Sequence, residues 1–291
     1  MENSKIKLKY PIAIVAYDAG AANLLYYYAI NFLDLKNCRF VVDGPAAKIF
    51  KNKNIINTKK NKLKKIILNS STLISGTGLQ SYLEHNSRKI AREHKINSIA
   101  ILDHWKNYNI RFIKNDITIL PDEIWVFDKF AYKIAKKKFN LNILLKKNYY
   151  YEYIYSKYYD DFKKKKFNKK KYLYLMEPLD KYKNYKNLID PFDYFIKNFY
   201  KLNHNNDYEI IVKPHPSQYD KKIYNNSRLK IKFDYESSLL DLLRKSNVVI
   251  GFETAALILA LKCKKKVYSS IPPGYGKLIL PYKNIKEIRN I

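Results

Sequence analysis

Short continuous apolar runs, each leading into a helical pattern, recur along this chain. The first is IAIVAY at 12–17, without polar alternation, as a strand buried on both faces reads. It passes through Asp18-Ala19-Gly20-Ala21-Ala22-Asn23, a turn of small residues, into a helix expected to about Leu33. Runs at 39–43, 72–75, 98–103 and 123–128 repeat the unit, with helices expected near 46–50, 79–93 and 130–139. On the 79–93 helix Leu79, Tyr82, Leu83, Ile90 and Ala91 form the inward face, which assigns Arg88, Lys89 and Glu93 to solvent. Five strand–helix alternations within about 140 residues predict a parallel, doubly wound sheet.

The stretch 146–171 breaks the alternation, with seven tyrosines among lysine blocks and neither glycine nor proline. It reads as a surface connection between two domains. A second alternation follows, with strands expected at 172–176, 210–212, 229–233, 247–250 and, last, 266–269. Helical patterns cover 184–202 (interrupted at Pro191), 239–243 and 254–261, and Ser238 with Asp241 has capping-box spacing. The 254–261 helix is apolar nearly all round, which places it between layers. The expected organisation is an amino-terminal domain at 1–145, the connection at 146–171 and a carboxyl-terminal domain at 172–291. Two doubly wound, Rossmann-like α/β domains facing a cleft follow from it. All seven glycines (Gly20, Gly44, Gly76, Gly78, Gly251, Gly274 and Gly276) come shortly after an expected strand, where backbone turns sharply or nears a ligand.

Composition changes this picture only at the margins. With 291 residues and 47% hydrophobic positions the chain can build substantial cores. It has no run of about 18 apolar residues and a polar, basic start, so a soluble cytoplasmic protein is expected. Cys38 and Cys263 lie far apart and match no metal-ligand spacing. Lys+Arg 56 against Asp+Glu 26 gives a net charge of +30, which invites a nucleic-acid reading. The excess is almost all lysine, however, and travels with Asn, Ile and 28 tyrosines, residues with A/T-rich codons. Arginine is scarce, and no helix-turn-helix, zinc-finger or RNP-like signature occurs. No specific nucleic-acid partner is expected. The lysine surface predicts affinity for an anionic membrane face or for anionic substrates.

The chemistry concentrates on Lys213-Pro214-His215-Pro216-Ser217. Two prolines end the strand before them and hold the backbone extended. That presents a lysine and a histidine at the carboxyl end of a sheet strand, where open α/β sheets bind ligands. A cation with an imidazole suits a phosphate leaving group. The plainer alternative is a polar loop residue between prolines that only punctuate the strand. Asp18, at the end of the first strand, reads equally as a general base and as the N-cap of the helix behind it. Its surroundings are not G-x-G-x-x-G, so no dinucleotide is implied. Asp103-His104, ending the fourth strand, is a second acid–base candidate. No D-x-D occurs, because Asp160-Asp161 and Asp190-Pro191-Phe192-Asp193 lack that spacing; neither metal nor cofactor is expected.

The two-domain layout, Lys213-Pro214-His215-Pro216 and the run NVVIGFETAAL at 247–257 together resemble a GT-B-fold glycosyltransferase. Within that class the His-Pro element is similar to bacterial sialyltransferases and related capsule or lipopolysaccharide transferases that use CMP-activated sugars. The resemblance implies that His215 contacts the donor phosphate and assists its departure, with Lys213 as electrostatic helper. It implies a donor site completed by Pro216, Ser217, Gly251, a hydroxyl at Thr254 and Glu253 accepting from the nucleoside. On the acceptor side it implies Asp18-Ala19-Gly20 as the base motif, with Ala19 where the family has a second acidic residue. Asp103 and His104 compete for that role, and Gly20, Asn23, Gly76, Thr77 and Gly78 would line the acceptor. The implied partners are a nucleotide-sugar co-substrate and a glycan acceptor. A sugar-nucleotide epimerase or polyol-phosphate transferase on the same architecture, and a non-catalytic polyanion- or membrane-binding protein, are the alternatives.

Overall fold

The computed structural model describes residues 8–51, 55, 60–164, 169–177, 188–204, 207–215 and 229–291, the side chains of 159–164 excepted. The chain divides into two compact units, Met1–Glu152 and Tyr153–Ile291. Each holds one six-stranded sheet whose strands all pair in parallel.

In unit 1, β1 (Ile12–Ala16) leads into α1 (Ala19–Phe32), and β2 (Cys38–Val42) into α2 (Gly44–Lys51). Next come α3 (Leu63–Leu68), β3 (Thr72–Ser75), α4 (Leu83–Glu93) and β4 (Asn97–Leu102). A small hairpin, β5 (Ile113–Lys114) with β6 (Ile117–Thr118), precedes β7 (Glu123–Val126), α5 (Lys129–Lys138), β8 (Asn142–Leu145) and α6 (Tyr149–Lys164). The sheet runs β2-β1-β3-β4-β7-β8. β1 is wholly buried because both faces are covered. Ile12, Ile14 and Ala16 belong to the core that includes Leu25 and Phe50, whereas Ala13 and Val15 belong to the one that includes Ile67 and Ala91. The strand order reverses between β1 and β3, which makes their carboxyl ends the switch point where a crevice opens.

Unit 2 contains β9 (Lys170–Leu175), α7 (Pro191–Asn198), β10 (Tyr208–Lys213), β11 (Ile231–Phe233) and α8 (Leu239–Arg244). β12 (Val248–Gly251), α9 (Ala256–Lys262), β13 (Lys266–Ser269) and β14 (Ile285–Glu287) complete it. Its order, β11-β10-β9-β12-β13-β14, is that of the Rossmann sheet, with the switch point between β9 and β12. The core is strongly aromatic: Tyr174 stacks on Phe195 at 4.8 Å, and its buried hydroxyl pairs with Ser270 Oγ at 2.9 Å. Ser238 caps α8 as its spacing predicts, accepting the Asp241 N–H at 3.2 Å.

Several expectations change. The connection 146–171 takes regular structure over most of its length, as α6 and the start of β9, and the division between units falls inside α6. Pro191 begins α7 rather than interrupting a helix, since Asp190 caps the Phe192 and Asp193 N–H groups and the first helical position needs no N–H. The 184–187 part of that expected helix lies outside the described residues. β8, β14 and the β5–β6 hairpin are additional to the expected strands. The largest correction concerns Arg88, assigned to solvent yet only 1% exposed.

Candidate functional site

In unit 1 the turns after β1, β3 and β4 converge. Asp18 occupies the N-cap position of α1 with extended backbone angles, φ −82° and ψ 150°, yet its side chain makes no capping hydrogen bond. The carboxylate turns instead toward the loop after β3: a methyl group on Gly78 would lie 2.7 Å from both Asp18 Oδ2 and Glu84 Oε2. Likewise a methyl on Gly20 would overlap the Asp103 carboxylate, and one on Gly76 would overlap Glu84. Glycine therefore stands at these positions because three carboxylates approach the backbone closely.

Glu84, on the first turn of α4, is 1% exposed and accepts the Tyr17 N–H at 3.0 Å and the Gly78 N–H at 2.7 Å. Four residues on, Arg88 donates through Nη1 to Ser75 Oγ at 3.0 Å and to the Gly76 carbonyl at 2.8 Å. Arg111 bridges the next turn, pairing with Asp103 Oδ1 at 3.2 Å and donating to the Thr77 carbonyl at 3.1 Å. The β5–β6 hairpin turns through Asn115 (φ 47°) and Asp116 (φ 59°), left-handed angles that Asn and Asp accept. It carries Lys114, whose ammonium donates to the Leu79 carbonyl and lies 5.2 Å from the Tyr82 ring centroid.

Crowding of like charge in a buried place raises carboxyl pKa values. Burial, then the neighbouring Asp103, pushes Asp18 up to about 6, against Arg111 and Lys114, which pull it down. Burial pushes Glu84 up to about 7; the Tyr17 N–H opposes this, Asp18 adds to it, and Arg88 and the Gly78 N–H oppose it further. Burial, with Arg111 and Lys106, pushes His104 down to about 3, and its Nδ1 already accepts the Trp105 N–H at 2.9 Å. Asp18 thus has a basicity suited to proton transfer near neutral pH, and His104, one member of the competing Asp103-His104 candidate, does not.

The structure brings Asp18, Gly20, Gly76, Gly78 and Asp103 together. Thr77 sits among them fully buried with its hydroxyl turned inward, donating to the Ile101 carbonyl at 2.9 Å. Asn23 lies one turn along α1 and donates to the Ala19 carbonyl at 2.9 Å.

In unit 2 the carboxyl ends of β10, β9 and β12 lie side by side. Lys213 ends β10 and donates from Nζ to the Tyr235 carbonyl at 3.0 Å. Pro214 is buried and His215 half-buried; Pro216 and Ser217 lie outside the described residues. Across the switch point, the Glu177 carboxylate accepts the Glu253 N–H at 2.6 Å. A methyl on Gly251 would stand 3.1 Å from the Leu175 carbonyl, so this crossing is tight as well. Glu253 is 2% exposed and accepts the Ile279 N–H at 2.9 Å, while Thr254 Oγ1 accepts the Ala256 N–H at 3.3 Å.

Sequence reasoning missed Glu84, Arg88, Arg111, Lys114 and Glu177. One signal for the first two was present: Glu84, Ser87, Arg88 and Ala91 follow the i, i+3, i+4, i+7 stripe, so two charges sit on the buried face of α4.

No protein-family profile and no curated protein matches this sequence. Solved structures do. The S. aureus MnaA–UDP complex superposes with a TM-score of 0.61 at 11% identity, covering 89% of this chain and 78% of that one. A UDP-GlcNAc 2-epimerase from Methanocaldococcus jannaschii gives a TM-score of 0.55 at 11% identity, covering 89% and 83%. The glycotransferase of kitacinnamycin gives 0.51 at 10% identity, covering 96% and 87%. At such identities the likeness is one of fold: two parallel-sheet, Rossmann-like α/β units of the GT-B type.

Proposed function

We propose that this chain is a sugar-nucleotide enzyme that moves a glycosyl unit from a nucleotide-sugar onto a hydroxyl of a surface-glycan acceptor, without a metal. The observation that carries the reading is Asp18. It stands at a sheet switch point, forgoes the capping bond open to it, and has a basicity raised to near neutrality. In this scheme the Asp18 carboxylate takes the acceptor hydroxyl proton as the oxygen attacks the anomeric carbon. The glycosyl–oxygen bond to the donor phosphate breaks, and the phosphate leaves with the electron pair. Lys213 and His215, at the end of β10, meet its charge. Pro216, Ser217, Thr254 and Glu253 complete the donor side in the proposal. The lysine-rich exterior would hold the enzyme against an anionic membrane face, where such acceptors are assembled.

The Lys-Pro-His-Pro element favours a CMP-activated donor, and the fold likeness to a UDP complex favours UDP. Thermal-shift titration with CMP, CDP, UDP and GDP separates them. A nucleotide at 100 times its Kd stabilises the fold by about 2.7 kcal/mol. One responding nucleotide is expected, and silence with all four would overturn the reading. With the matching sugar donor, His215→Ala should reduce turnover by about 100-fold while the protein stays folded; an undiminished rate would remove His215 from the mechanism.

A second reading, epimerisation of a UDP-sugar, is favoured by the convergence of two carboxyls, Asp18 and Glu84, on one point. It predicts solvent deuterium entering the sugar of UDP-GlcNAc with no acceptor present. Transfer without such exchange rejects it.

A further inference from the structure

Glu84 belongs to no motif that suggested the site, and its surroundings give it a definite task. One oxygen holds the N–H of Tyr17, the residue immediately before Asp18, and the other holds the N–H of Gly78. These two turns flank the reversal of strand order between β1 and β3, where the Gly76 N–H donates to the Val15 carbonyl at 2.9 Å. The carboxylate therefore closes the switch point like a bolt, and it lies almost wholly out of water. Gly76 and Gly78 leave it the room that side chains would take. Asp18 Oδ2 and Glu84 Oε2 each lie 2.7 Å from the point where a Gly78 methyl would be, so the two carboxyls close on the same side of this glycine.

We propose that Glu84 is the positioning residue of Asp18: it fixes the turn that carries the candidate base and faces that base so closely that the two carboxyls titrate as one coupled pair. The proposal rests on the reading of Asp18 as the base. The charged groups around the pair are Asp103, Arg111 and Lys114 beside Asp18, and Arg88 and Lys114 beside Glu84. Burial and Asp18 both raise the Glu84 carboxyl, which is the direction the geometry requires.

The test uses the full chain with 13C-labelled Asp and Glu carboxyls, followed by NMR as pH is varied. Asp18→Asn and Glu84→Gln assign the two signals. The Glu84 midpoint should lie well above the usual carboxylate range and fall by about one pH unit or more in Asp18→Asn. A midpoint that stays in place in Asp18→Asn overturns the coupling. Glu84→Gln preserves shape but offers one carbonyl oxygen to two N–H donors, so either the Tyr17 or the Gly78 amide should lose hydrogen-exchange protection by at least about tenfold. Protection of both amides at the wild-type level would overturn the positioning role. Should Glu84→Gln fail to fold, Gly78→Ala, which inserts a methyl between the carboxyls, supplies the same readouts. Thermal-shift titration of the full chain with nucleotides reads neither the carboxyl nor the amide signals, so a failure of the enzyme reading and a failure of the pair can be told apart.

Discussion

Asp103 acts on Asp18 through charge alone, since its own hydrogen bonding is directed to Arg111. Replacing it by Asn removes a like charge, so Asp18 should ionise more readily. The acidic limb of the pH–rate profile should therefore move to lower pH in Asp103→Asn; movement to higher pH would mean that the Arg111 pairing is the dominant influence. Glu84 makes a second prediction, about stability. Its carboxyl is raised from 4.5 to about 7 in the folded chain. The folded state holds a proton that the unfolded state has released, so this contribution is complete below the ordinary value and is lost as pH rises through 7. Unfolding free energy measured in urea should fall between these pH values, by at most roughly 1.4 kcal/mol per unit, and Glu84→Gln should flatten the slope. Residues of this kind were only partly legible in the sequence. Asp18 stood out because it follows a strand and precedes a glycine. Arg88 did not, because a charged residue on an amphipathic helix ordinarily faces water, and its burial is made tolerable by partners remote in sequence, among them Ser75 Oγ and the Gly76 and Ile119 carbonyls.

Strands and helices with continuous apolar runs could be read directly, as β1, β4 and α9 show, because burial on both sides leaves no polar alternation to misread. The strands β5, β6 and β14 could not: at two or three residues they are too short to show a period, and what fixes them is pairing with a neighbour. The β5–β6 hairpin nonetheless matters to the site, because it delivers Lys114, one of the cations that pull Asp18 down. A β-branched residue at position 115 cannot readily adopt the observed left-handed angle. Asn115→Val should loosen the hairpin, withdraw Lys114 and let the Asp18 midpoint rise, an effect opposite in sign to that of Asp103→Asn. A carboxyl NMR titration reads both, and an unchanged midpoint in Asn115→Val would separate the hairpin from the site.

The molecule as a whole carries +30 formal charges on 291 residues, and among the described residues no helix is long and apolar enough to cross a membrane. If the lysine exterior serves an anionic surface, the protein should sediment with phosphatidylglycerol vesicles at low salt. It should be released as ionic strength rises and the Debye length falls from about 10 Å at 0.1 M to about 3 Å at 1 M. Retention at high salt would indicate a different mode of attachment. Both of the chain's two tryptophans, Trp105 beside His104 and Trp125 beneath Lys146, fall in unit 1, while unit 2 is built on tyrosine and phenylalanine. Indole fluorescence is consequently a native, label-free gauge of unit 1. Light absorbed only by tryptophan will report arrivals next to Trp105, two residues from Asp103 at the turn after β4.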